Sequence, residues 1–325
     1  MRGMANSAMM SGMVGQREPV VPVQAGGLPL LAFGGAALLG GANFIAVRFS
    51  NRDLDPFWGA GLRFALAGLI FTAISFGLRL RWPRGRTLYL TVVYGVLSFA
   101  GTYALLYWAL GRVTAGAAAI VLAIVPLLTL LLAAAHSLES LTPRAVIGST
   151  LALGGLAWVG FGGDDLSIPL DGFIAIVIAA VVMAESVIVG KRVSQNHPVM
   201  NNAVGMIVGS ALLLGLSAVS NETWILPQHS EAIWAVAYLV TLGSVGLFLL
   251  TLTVVRSWTA SATAYLFVLF PIVTMVLANW LADEPITRTG VLGGLVVIAG
   301  VWFGALRTSP SGLDSRTSVD EPANQ

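Results

Sequence analysis

Ten uninterrupted apolar stretches of membrane-crossing length dominate this sequence, near residues 28–47, 57–78, 87–110, 113–135, 145–162, 172–190, 199–219, 232–255, 259–281 and 289–306. A helix rises about 1.5 Å per residue, so about 20 apolar residues cross roughly 30 Å of hydrocarbon. Backbone N–H and C=O groups in lipid must find partners within the segment or around a closed barrel. These stretches are about twice the length of barrel strands and lack strict alternation, so they are helices. Composition agrees: 57% of the 325 residues are hydrophobic and 10% are charged, against about 25% charged in a soluble domain. With 17 basic and 15 acidic side chains, most apolar surface must face lipid or other helices. The expected fold is an all-α integral membrane protein with ten transmembrane helices.

The charges outside the helices set orientation. With the N-terminus inside, twelve Lys and Arg fall on the cytoplasmic side, among them Arg79, Arg81, Arg84 and Arg86, and only Arg48, Arg52, Arg112 and Arg288 fall outside. The positive-inside rule then places both termini in the cytoplasm and the chain in the plasma (inner) membrane. Residues 1–27 are read as a mobile cytoplasmic lead, 163–171 as a connecting loop and 307–325 as a cytoplasmic tail. The first helix is expected to stay, because no Ala-x-Ala cleavage pattern follows a short apolar core.

Residues 114–155 align with 259–300 without a gap at an offset of 145, with thirteen identities. Apolar bias would match Ala and Leu. It does not readily match Pro126 with Pro271, Glu139 with Glu284, Thr142 with Thr287 and Gly148 with Gly293. The halves, 28–162 and 172–306, thus hold five helices each. Five is odd, so the second half enters the membrane from the opposite side. Inverted repeats of this kind are a common architecture of secondary transporters.

These doubled motifs, Pro126 to Glu139-x-x-Thr142 to Gly148 and Pro271 to Glu284-x-x-Thr287 to Gly293, together with Arg63-Phe64 in helix 2, resemble the EamA-type drug/metabolite transporter (DMT) superfamily over about residues 28–306. The resemblance implies ten helices with both ends cytoplasmic, a central cavity between the halves and secondary transport, often efflux, of amino acids, metabolites or drugs. It also leaves open a homodimer through the last helices. Glu185 departs from the pattern, which implies an aromatic or small residue there.

Within the spans only Arg63 and Glu185 are charged. An intramembrane charge is costly and should face the bundle or water. Arg63 suits a substrate carboxylate or phosphate, or a structural role on helix-end carbonyls. Glu185 suits a protonation switch, or an ion pair with Lys191 or Arg192. Asn43, Tyr103, Tyr238 and Tyr265 are expected in the cavity wall, whereas Tyr107, Trp58, Trp108 and Trp224 near span ends suit interfacial belts. Pro126 and Pro271 should kink helices 4 and 9 beside the cavity. Glu139 with Thr142, and Glu284 with Thr287, are spaced to satisfy free backbone donors at the start of helices 5 and 10.

The chain has no Cys and three scattered His, so neither a metal centre nor any other cofactor is expected. No Walker motif occurs, so energy must come from a gradient. A net charge of +2 gives no footprint for nucleic acid. The expected partners are a small-molecule substrate and the lipid bilayer, and the expected function is secondary active transport by alternating access, in the direction of export. The alternatives are a membrane-embedded receptor or scaffold, and a lipid-modifying enzyme, for which only His136 with Glu139 offers a cluster.

Overall fold

The computed structural model describes residues 27–138, 140–161, 168–193, 196–257 and 260–306, without the side chains of 255, 256, 260–265, 305 and 306. The elements are α1 (Gly27–Ser50), α2 (Pro56–Gly77), α3 (Gly85–Leu110), α4 (Ala115–Ala135), α5 (Pro143–Phe161), α6 (Leu170–Arg192), α7 (Pro198–Val219), α8 (Ser230–Val254), α9 (Ala260–Ala282) and α10 (Arg288–Val301). Eight of them are long and apolar enough to cross a membrane, and the apolar stretches Leu266–Ala282 and Arg288–Gly304 are shorter. No strand occurs among the described residues. The chain is an all-helical, multi-pass membrane protein.

Helix starts follow local chemistry. Proline opens α2 and α7, where its missing N–H costs nothing. Thr114, Thr142 and Thr287 each accept a hydrogen bond from the backbone N–H three residues on, at 3.2, 3.2 and 3.1 Å. Pro126 does not bend a continuous helix: α4 is interrupted at Ala123–Ile124, and Pro126 lies in the first turn of its second segment, Val125–Ala135. That position suits a ring with fixed φ and no donor. Pro271 lies inside α9, which runs on through it.

Two helix pairs form the tightest seams. On α5, a Cβ added to Gly148 would come within 2.4 Å of Gly304 Cα, just past α10, and on α3 one added to Gly95 would lie 2.7 Å from Gly205 Cα of α7. Backbones approach this closely only where side chains are absent. The Gly-xxx-Gly faces at 205/209 and 300/304 are therefore occupied within the chain.

Helices α3 and α8 each contain a π-helical turn, Val96–Gly101 and Thr241–Gly246, 145 residues apart. Each turn carries a hydroxyl bond back five positions, from Thr102 Oγ to Leu97 O at 2.9 Å and from Ser244 Oγ to Leu239 O at 2.8 Å. A π-turn loosens the regular ladder and leaves carbonyls for other donors.

One face of the bundle is tied together by its loops. Glu222 accepts from Phe57 N and Trp58 N at 3.1 and 2.7 Å, Asp55 accepts from Thr223 N and Oγ at 2.8 Å, and Asp53 accepts from Gln228 N and His229 N at 2.8 Å. Trp58 stacks on Trp224 at 4.9 Å. Ion pairs Arg48–Glu284 and Arg52–Glu231 cross the same face. Glu284 does not cap α10 as its spacing suggests; its carboxylate accepts from Ala115 N and Gly116 N at 3.2 and 3.5 Å, at the start of α4. Thr287 has already filled the local role, so the acid is free for the free donors of a helix 169 positions away. Glu139 lies outside the described residues.

Candidate functional site

A cavity of about 400 Å³ lies between the two halves, within the size range of small-molecule sites. Helix α1 contributes Asn43, Phe44 and Val47, α2 contributes Arg63, and α3 contributes Tyr103, Leu106 and Leu110. From the second half come Met183 and Val187 of α6, Thr251 of α8, and Leu266, Phe267 and Phe270 of α9. Among the described residues the wall is apolar save for one charge, Arg63, and the polar groups of Asn43, Tyr103 and Thr251.

Arg63 is 2% exposed and is the largest fully buried side chain among the described residues. Its Nε donates to Ser244 Oγ at 3.0 Å, its Nη2 to Gly243 O at 3.0 Å and its Nη1 to Tyr107 OH at 3.4 Å. The guanidinium carbon lies 5.0 and 5.2 Å from the ring centroids of Phe64 and Tyr103. Those distances allow cation–π attraction. The π-turn of α8 makes this possible, since it presents the Gly243 carbonyl and the Ser244 hydroxyl to the guanidinium. Asn43 Nδ2 donates to the same carbonyl at 3.0 Å. One backbone oxygen thus joins α1, α2 and α8.

No acidic side chain pairs with Arg63 among the described residues. A guanidinium has five N–H donors, and three acceptors engage this one. The arrangement holds a desolvated cation rigidly beside an apolar chamber.

Other expected site residues fall elsewhere. Tyr238 is not in the cavity wall; its hydroxyl donates to Leu39 O at 2.8 Å, which ties α8 to α1. Tyr265 has its side chain outside those described. Pro126 and Pro271 are not in the wall, though their neighbours Leu122 and Phe270 are. Glu185 is also off the wall: its carboxylate meets His136 Nε2 of α4 at 3.1 and 3.2 Å, half-exposed, a partner the sequence did not suggest. Tyr107 is the residue misjudged most. Its place near a span end suggested an interfacial belt, but it is fully buried against Arg63. Its spacing of four from Tyr103 put both on one face and was the available signal.

Toward the loop face the cavity is bounded by the ends of α1 and α3, which supply Val47 and Leu110 to its wall. There α1 packs against α3 and α4. The cross-bonded acids described above lie over that end.

The EamA-like transporter family model matches residues 28–161 and again 170–305. Over 267 residues the chain is 29% identical to the "Probable terminal-alkyne amino-acid exporter" of Streptantibioticus cattleyicolor, covering 78% of this chain and 86% of that one. It is 27% identical over 267 residues to the "Uncharacterized inner membrane transporter YedA" of Escherichia coli strain K12, covering 81% and 86%. A solved crystal structure superposes with a TM-score of 0.61 at 21% identity, over 86% of this chain and 96% of that one, so the fold is shared. With a family model spanning nearly all of its helical residues, this chain belongs to the EamA-like transporter family.

Proposed function

We propose that this transporter exports small organic metabolites, amino-acid derivatives and drugs among them, by alternating access through the Arg63 cavity. The observation that carries the reading is a chamber between the two family-matched halves, with a buried cation in its wall and its loop-face end bridged by acids that bind backbone donors across the bundle. Further support comes from the family model matching twice and from the two π-turns lying 145 residues apart. Both agree with ten membrane helices in two inverted five-helix copies, 28–162 and 172–306. The Lys and Arg bias puts both termini in the cytoplasm of an inner membrane. The cross-bonded loops are then external and the chamber loads from the cytoplasm, as an exporter requires.

Arg63 serves as the polar anchor for cargo. Asn43 and Tyr107 position it. Glu185 lies off the cavity wall, so a protonation role acts through the α4–α6 contact and not by touching cargo. The reading is transport without catalysis: among the described residues of the chamber no nucleophile has an adjacent base, and the one charge, Arg63, is held by neutral acceptors.

Reconstitution into liposomes with labelled solutes and an imposed pH gradient tests this reading. Movement of at least one solute class, reduced by Arg63→Gln, is the expected result. Solute binding without movement of any solute would make the protein a receptor.

A further inference from the structure

Resting on the Arg63 cavity as the transport site, we infer that its cargo is an organic monoanion: one carboxylate on an apolar body, without a cationic group. Three observations carry this. First, Arg63 is the only charged side chain among the described residues of the wall, which thus offer one positive charge and no negative one. Second, that guanidinium has three neutral acceptors, Ser244, Gly243 and Tyr107, and no carboxylate. Two of its five donors remain, and a carboxylate is the group that takes paired guanidinium donors best. Phe64 and Tyr103, packed edge-to-face on each other at 4.6 Å, both lie on one side of the guanidinium and help to fix its orientation. Third, the rest of the chamber is a hydrocarbon surface, with Phe44, Leu122, Leu266, Phe267 and Phe270 around an apolar body.

An ammonium group finds no carboxylate among the described wall residues, and its neutral acceptors there are the hydroxyls of Tyr103 and Thr251. The Gly243 carbonyl already accepts from Asn43 and Arg63. The Asn43 amide oxygen is buried without a hydrogen-bond partner, turned against Gly243, where an added Cβ would meet it at 2.2 Å. The Tyr238 hydroxyl is engaged by Leu39. A zwitterion would therefore exchange the hydration of its cationic end for neutral hydroxyls alone, with no counter-charge. A phosphate dianion would bring two charges to one cation. The monoanion alone balances the charge of the chamber and matches its surface.

The test uses the purified full-length protein and three probes on one carbon skeleton: 3-phenylpropanoate, its neutral amide 3-phenylpropanamide, and zwitterionic phenylalanine. Binding is read by isothermal calorimetry in detergent, and movement by counterflow in liposomes. The expected result is that the carboxylate binds about tenfold more tightly than either the amide or the zwitterion. Arg63→Gln should erase that preference and Arg63→Lys should keep part of it, since Lys retains the charge without the fork. Because Arg63 variants can fail to fold, Leu122→Trp offers a second arm: it fills the chamber without touching Arg63 and should weaken carboxylate binding while the melting temperature holds. Equal or tighter binding of the amide or of phenylalanine, or no binding of the carboxylate, overturns the inference. Movement of phenylalanine in preference to the carboxylate would also overturn it, yet would leave the transport reading standing. Carboxylate binding without movement supports the cargo class and contradicts transport.

Discussion

Arg63 and Gly243 are 180 positions apart in sequence and 3.0 Å apart as donor and acceptor. The bond exists because the ladder of α8 loosens into a π-turn where a buried cation needs acceptors. The turn and the cation explain each other: a regular helix would leave Arg63 without its carbonyl, and without Arg63 the carbonyl would keep only Asn43.

Removing the guanidinium should therefore loosen α8 against α2. Arg63→Gln is expected to lower stability by about 1–3 kcal/mol, the usual result of leaving buried acceptors short of donors. Thermal unfolding in detergent, followed by tryptophan fluorescence, measures it. An unchanged melting temperature would mean that the three bonds do not hold these helices together.

The loop-face seal rests on acids that cap helices of the opposite half. Glu284→Gln removes the charge that binds Arg48 and the start of α4. Partly exposed pairs of this kind contribute about 1 kcal/mol, or about fivefold in the open population. The chain has no Cys, so a single Leu110→Cys at the loop-face end of the cavity is a clean reporter. Its labelling by an impermeant maleimide from the loop face should rise about fivefold in the Glu284→Gln background.

The Asp53 carboxylate is held below its ordinary value of 3.8, first by the His229 backbone N–H, then by the His229 ring and by Gln228 N–H. A lowered pKa means that the released carboxylate binds protons more readily than the held one. The clasp is thus fully present above the ordinary value and is lost as pH falls through the depressed one. Loop-face accessibility should stay flat from about pH 7 to about pH 5 and rise only below about pH 4. Asp53→Asn should shrink that acid-induced step, leaving the part carried by Glu222, Asp55 and Glu284.

Gly148 faces the backbone of Gly300 and Gly304 with no room for a methyl group. Gly148→Val is expected to separate α5 from α10 and cost about 1–3 kcal/mol, as overpacking does. Gly154, with open space around its α carbon, is the control: Gly154→Ala should leave the melting temperature unchanged or slightly raised.

Glu185 and His136 join α6 to α4 on the side away from the cross-bonded loops. If this pair couples transport to protons, Glu185→Gln vesicles should lose the dependence of efflux on an imposed pH gradient while cargo affinity is retained. Unchanged gradient dependence would remove the pair from the coupling scheme.

Much of the helical layout was legible because lipid imposes it. Hydropathy marks a span wherever about 20 residues must lie in hydrocarbon, and an internal charge such as Arg63 stands out against that background. The partners of Arg63 were not legible. Its main acceptors are a backbone carbonyl and a hydroxyl exposed by a π-turn, and no residue type announces a lengthened helical turn. Glu284 misled for a different reason. Its spacing from Thr287 fits a local cap, and sequence distance gives no hint that the donors it serves belong to α4. Tyr107 shows the same limit: the preference of aromatic residues for interfaces is statistical, whereas burial against Arg63 depends on which face α3 turns inward.

The central claim is that the Arg63 chamber opens to the cytoplasm while its external end is sealed. It is tested most directly by single-cysteine labelling at Thr251, which lines the chamber on the side away from the cross-bonded loops. In oriented vesicles without cargo, Thr251→Cys should react with an impermeant maleimide from the cytoplasmic face at least about tenfold faster than from the outside. Faster labelling from the outside, or equal rates from both faces, would contradict the account.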